Sequence, residues 1–136
     1  MSISGVLGRF FTAYVVLIIA ASLALRFFGV TSNSGVNVGI LIVAVMWPCV
    51  AFGTKNKRYF TAPEKSKVVW GMIVINLLLQ AVFGGAALAA KGKLSVGALA
   101  FALLFVGVLH SLAIAYVVGM AGRNVEKHFQ KQAAGS

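Results

Sequence analysis

Acidic side chains are almost absent from this chain. Glu64 and Glu126 are the only two, aspartate does not occur, and twelve lysines and arginines leave a formal charge of +10. No apolar run contains a carboxylate, so paired-carboxylate acid–base chemistry and carboxylate-coupled proton transport both lack their central group. Cysteine is scarce too. Cys49 stands alone, which excludes an intrachain disulfide and a cysteine-based zinc site and makes it most simply a small buried filler. The two histidines, His110 and His128, are too far apart in sequence for a zinc-type cluster, and no glycine loop has phosphate-cradling spacing. His110 and Ser111 are neighbours, about 100° apart on a helix, which does not make a nucleophile–base pair. No enzyme, metal or cofactor is expected.

Charged residues of either sign make up 10% of the chain, against 60% hydrophobic, and the mean hydropathy is +0.97. Such a composition has too little polar surface to face water, and lipid is its expected solvent. The large positive charge could suggest nucleic acid, but the basic residues sit at the ends of apolar runs. That placement reads as contact with anionic lipid headgroups at a membrane surface, and no nucleic-acid partner is expected.

The only strongly hydrophilic run between Arg9 and Arg123 is the loop over 54–67, Thr54 through Lys67, with five basic residues: Lys55, Lys57, Arg58, Lys65 and Lys67. An apolar hairpin lies on each side of it. Thr61 and Glu64 have capping-box spacing, and Pro63 falls in the first helical turn where its missing N–H does no harm. The pattern predicts an all-α membrane protein, an antiparallel bundle of four transmembrane helices over about 10–28, 36–53, 62–89 and 95–120. The chain is read as one domain over 1–136.

Arg9 precedes the first apolar run, and Ser22-Leu23-Ala24 resembles a signal cleavage site. Since the sequence starts at Met1 with the run in place, we expect a retained membrane helix, with Arg26 snorkelling from its far end. The turn over 29–35 is polar. In the second run Pro48 removes a backbone bond and crowds the Ala44 carbonyl, so a kink is expected there. Lys91-Gly92-Lys93 makes the other tight turn. Beyond Met120 the tail over 121–136 repeats Ala121, Val125 and Phe129 every four residues, with Arg123, Lys127 and Lys131 elsewhere, as in a basic amphipathic extension at the interface.

Orientation follows from lysine and arginine alone. Arg9, the five loop residues, Arg123, Lys127 and Lys131 fall on one side, and only Arg26, Lys91 and Lys93 on the other. Nine against three places both termini in the cytoplasm.

Two constellations stand out. On the fourth helix Gly107, Ser111, Ala115 and Gly119 recur every four residues, a small-residue seam that lets backbones approach, either inside the monomer or against a homodimer or membrane-protein partner. The second is buried polarity. Asn76 and Gln80 share a face of the third helix that Gly84 continues, and counting outward from Gly92 puts Asn76 level with His110. A neutral imidazole and two amides can join in one cluster there, serving either as interhelical glue or in a substrate or proton role. Trp47, Tyr59, Trp70 and Tyr14 occupy positions suited to interfacial aromatic anchors. Tyr59-Phe60 beside Lys57-Arg58 offers a grip on a lipid phosphate.

The stretch from Phe52 through Gly71 resembles a family of small, uncharacterised four-helix bacterial inner-membrane proteins. The shared features are the basic exit of the second helix (Lys55, Lys57, Arg58), the Thr61–Glu64 cap with Lys65, and Trp70-Gly71. This resemblance implies a bacterial inner membrane and the four-helix topology, and brings no site. The segment Asn56-Lys57-Arg58-Tyr59-Phe60-Thr61 is also similar to the small four-helix translocases of polyprenyl-linked sugars, with Tyr59 where those carry tryptophan and with a longer loop. Small multidrug exporters share the size but need an intramembrane glutamate, which this chain lacks.

The function expected from sequence is therefore non-enzymatic: a helix-mediated binding protein, either an accessory subunit or an immunity protein against a membrane-inserting toxin. The alternative is a small transporter or lipid-linked-sugar translocase using Asn76, Gln80 and His110. Association assays and flux assays separate them. A partner protein should lose association in Gly107→Leu or Ser111→Leu while His110→Ala is nearly silent, and a transporter should lose flux in His110→Ala, Asn76→Ala and Arg58→Ala.

Overall fold

A computed structural model describes residues 1–29, 34–92 and 95–134 as four helices. They are α1 (Ile3–Phe27), α2 (Ser34–Asn56), α3 (Ala62–Ala90) and α4 (Val96–Ala134), each long and apolar enough to cross a membrane.

The helix ends follow local chemistry more than hydropathy. α1 begins seven residues before the expected 10–28, because Ser2 caps it: its Oγ accepts the Gly5 N–H at 3.1 Å. Val6 and Phe10 are then fully buried, so the turns around Arg9 belong to the packed structure and are not a flexible lead-in. α2 runs unbroken through Pro48, continues to Asn56 instead of 53, and ends where Lys57 enters the left-handed region at φ 54°. At the start of α3, Glu64 Oε2 accepts the Thr61 N–H at 2.9 Å, and the Thr61 hydroxyl donates to the same oxygen at 3.0 Å. Ser95, expected as the first residue of the last helix, is its cap and accepts the Ala98 N–H at 3.1 Å. No break falls at Met120, where the span was expected to pass into the basic amphipathic extension. α4 continues through the basic tail as one helix of 39 residues, about 58 Å long against a hydrocarbon thickness of about 30 Å.

α1 packs against α2 and α3, and α4 packs against the same two. The first turn of α1 lies beside the last turn of α2, where Asn56 Nδ2 donates to the Met1 carbonyl at 2.9 Å. The core is gathered at that end of the molecule. Its buried side chains stop at Tyr14 in α1 and at Asn76 in α3, and begin only at Gly107 in α4.

The glycines account for this asymmetry. A Cβ on Gly53 would lie 2.6 Å from Val125, one on Gly71 2.7 Å from Leu7, and one on Gly122 2.6 Å from the Tyr59 ring. Each glycine is a notch into which a neighbouring side chain fits, so the backbones come close. Gly84, Gly85 and Gly97, toward the other end, have nothing within 4 Å of that position. The bundle is knitted at one end and parted at the other.

The linker between α2 and α3 belongs to the knitted end. Phe60 is buried against Phe52 with ring centroids 4.2 Å apart. The Tyr59 hydroxyl donates to the Val118 carbonyl of α4. Arg58 makes a two-pronged pair with Glu64, at 2.6 and 2.9 Å, and its guanidinium lies 5.6 Å from the Phe52 ring centre. Burial pushes the Tyr59 phenol pKa above its ordinary value, keeping the donor protonated, with the neighbouring Cys49 adding to the effect.

The notches predict a sharp contrast between glycines. Gly122→Ala must displace the Tyr59 ring and should cost about 1–3 kcal/mol. Gly97→Ala, with open space around it, should be neutral or slightly stabilising. Reversible unfolding of the detergent-solubilised variants measures both.

Candidate functional site

Where the helices part, they border a half-open cavity of about 870 Å³ lined by all four of them. Positions along the helices give it two ends. Tyr14, Gln80 and His110 lie next to the knitted core, while Arg26, Asn37, Leu88 and Leu99 lie toward the ends of α1 and α3 and the starts of α2 and α4. The walls between are mostly apolar, with Ile18, Phe83 and Leu103 among them. The volume is that of a pocket for a drug-sized molecule.

The inner end is built from three polar residues. Gln80 Nε2 is 2.8 Å from His110 Nδ1, and Asn76 Oδ1 is 3.4 Å from the same ring nitrogen. A neutral imidazole carries one proton. In the tautomer with its proton on Nε2, Nδ1 accepts from the Gln80 amide, the closer of the two contacts. Asn76 Oδ1 then gains no proton from the ring, and Asn76 Nδ2 is buried without a hydrogen-bond partner among the described residues. Asn76 is fully buried and His110 is 7% exposed. The pairing of α3 with α4 thus brings Asn76, Gln80 and His110 together, Gln80 and His110 at the cavity and Asn76 behind them.

Tyr14 completes this end. An interfacial position suited it in the sequence, but it is buried, 4% exposed, with its ring stacked on Phe10 at 5.5 Å. It faces the cavity because Phe10 and Tyr14 are four residues apart on the buried side of α1. A Phe-x-x-x-Tyr pair could have signalled that face, although an aromatic in a span reads equally as an anchor. Tyr59 is likewise held inside, whereas Trp47 and Trp70 are exposed. Ser22, Arg26 and Asn37 also line the cavity where sequence reasoning had not placed them: the cavity side of each helix is set by its packing against the others.

The four seam residues do not form one contact surface. Gly107 is buried, and a Cβ there would meet Leu77 of α3 at 2.7 Å. The Ser111 hydroxyl donates to the Gly107 carbonyl at 2.7 Å within α4. Ala115 is exposed, and Gly119 is approached by the Lys65 ammonium, 3.7 Å from an added Cβ. A spacing of four residues advances about 40° beyond a full turn, so such a row drifts around the helix instead of tracking one neighbour.

Of the basic residues proposed to touch lipid headgroups, Lys55, Lys57, Lys65 and Lys67 are exposed around the knitted end. Arg58 is exposed as well, but its fork is filled by Glu64 and its neighbours Tyr59 and Phe60 are packed inward. In this arrangement it staples the linker.

What this site offers chemically is a set of donors at the base of an apolar cavity: the His110 Nε2–H, the Tyr14 hydroxyl and the Gln80 amide. It can hold a hydrogen-bond acceptor and orient an apolar body. The Gln80–His110 contact predicts a measurable coupling. In a double-mutant cycle of Gln80→Leu and His110→Leu, unfolding should report about 0.5–1.7 kcal/mol of interaction; additive costs would mean that the contact is not made. No protein-family model, no curated protein and no solved structure matches the chain.

Proposed function

We propose that this chain is a small non-enzymatic protein of the bacterial inner membrane that takes an apolar, drug-sized molecule into the inter-helix cavity, as a carrier or small transporter. The observation that carries this reading is the cavity of about 870 Å³ with Gln80 and His110 at its inner end. A purely structural polar cluster needs no open space beside it, and tight packing would serve better. Here the cluster abuts a volume that something other than protein fills.

In this proposal the four helices form an antiparallel bundle with both termini cytoplasmic. The nine-to-three distribution of lysine and arginine supports that orientation. The knitted end then faces the cytoplasm and the parted end faces outward, with the donors near mid-membrane. The accessory-subunit or immunity reading keeps a narrower basis, the accessible Ala115 with half-buried Ser111 beside it on α4.

Photolabelling tests the first reading. With the protein in nanodiscs, an apolar diazirine probe bearing a carbonyl should label cavity residues such as Phe83 and Val106. Leu103→Trp, which narrows the cavity beside Val106, should reduce that labelling, and His110→Ala should weaken it. Labelling confined to lipid-facing positions such as Phe101 and Leu104, and unchanged in Leu103→Trp, would overturn the reading. Loss of a co-purifying membrane protein in Ala115→Leu, with labelling intact, would favour the partner reading.

A further inference from the structure

Resting on the cavity reading, we infer that the ligand is an anionic amphiphile whose charged group is held at the outer end by Arg26.

The argument begins with the scarcity of acids. Glu64 and Glu126 are the only two carboxylate side chains in the chain. Glu64 is in the first turn of α3 and is engaged by Arg58, and Glu126 is in the α4 tail; both belong to the opposite end of the molecule. Arg26 lines the cavity and no ion pair to it forms among the described residues. Its place in the last turn of α1 suits a cation by the helix dipole, but the dipole's half charge at a helix end does not neutralise a guanidinium. Arg26 is exposed at the mouth of the cavity, as are Ser22 and Asn37, so its fork is open to an anion that comes from outside the chain.

The surroundings specify the form of that anion. Ser22 lies one helical turn before Arg26 on the same side of α1, and Asn37 lines the same end from α2. A guanidinium flanked by a hydroxyl and an amide matches a carboxylate or phosphate monoester, which accept several hydrogen bonds in one plane or fork. From Arg26 to Tyr14 is twelve residues of α1, about 18 Å along the helix. Along that length the lining is chiefly apolar, with Ile18, Leu25, Leu99 and Leu103. The ligand class is thus a long-chain acid: an anionic group at Arg26, an apolar chain beside these four residues, and an acceptor about 18 Å deeper for Tyr14 and His110.

A fluorescence titration decides the point. The protein in zwitterionic nanodiscs is titrated with a long-chain carboxylic acid carrying a dansyl sulfonamide at its far end, and with the methyl ester of the same molecule. The buffer is alkaline so that the acid is ionised, and the signal from empty nanodiscs is subtracted. The acid should bind about tenfold more tightly than the ester. Arg26→Gln should bring the acid down to the level of the ester without changing the ester, and Arg26→Lys should keep most of the preference. His110→Ala should weaken both probes alike, which separates the two ends of the cavity. Equal binding of acid and ester to the native protein, or an equal loss of both in Arg26→Gln, would overturn the anionic assignment and leave the cavity reading standing. If neither probe binds in a manner that Leu103→Trp weakens, the cavity reading fails and this inference with it.

Discussion

Close approach at four glycines is the constraint on which the rest of the structure depends. Val125 seats over Gly53, Leu7 over Gly71, Leu77 over Gly107 and the Tyr59 ring over Gly122, joining α4 to α2, α1 to α3, α3 to α4, and the linker to α4. Between apolar helices in lipid there is little hydrophobic drive to associate, so packing must come from shape. Where the notches are filled, the helices are drawn together over a dense core. Where glycines such as Gly84 face open space, the helices part. One set of contacts therefore produces both the rigid end and the cavity.

Buried polarity sits at the boundary between these regions. Asn76 closes the core on α3, and Gln80, one turn further, already borders the cavity with His110. In the membrane interior a lone amide or imidazole is costly, so the mutual hydrogen bond contributes to pairing α3 with α4. The same bond commits Nδ1 and leaves Nε2 as a donor. A structural contact and a ligand-binding group are thus two sides of one ring.

Charge is divided in the same way along the molecule. The knitted end uses a carboxylate, with Glu64 capping α3 through Thr61 and holding Arg58 at once. The exposed lysines around it have water and headgroups to face. At the parted end Arg26 is exposed at the cavity mouth with no carboxylate partner among the described residues, and that inequality gives the cavity a chemical polarity that its mainly apolar lining would not have alone.

Much of this was legible in the sequence. Four long apolar runs dictate four helices, because a backbone in hydrocarbon has to satisfy its own hydrogen bonds. The Thr61–Glu64 spacing placed the start of α3, and counting residues from a tight turn put Asn76, Gln80 and His110 at one depth, since helical rise is fixed. Other features required the packed molecule. The start of α1 at Ile3 rests on the Ser2 cap, which hydropathy passes over, whereas the burial of Val6 and Phe10 behind it depends on α2 and α3 lying beside them. The row from Gly107 to Gly119 looked like one seam, but which small residue meets a neighbour depends on where that neighbour's side chains fall. Tyr14 and Arg26 read as anchors for the same reason: periodicity says which residues share a face, not what that face looks onto. Hydropathy and local capping act within a few turns of chain and set the elements, whereas notches, the cavity and its unpaired cation arise between helices and exist only once the four are packed.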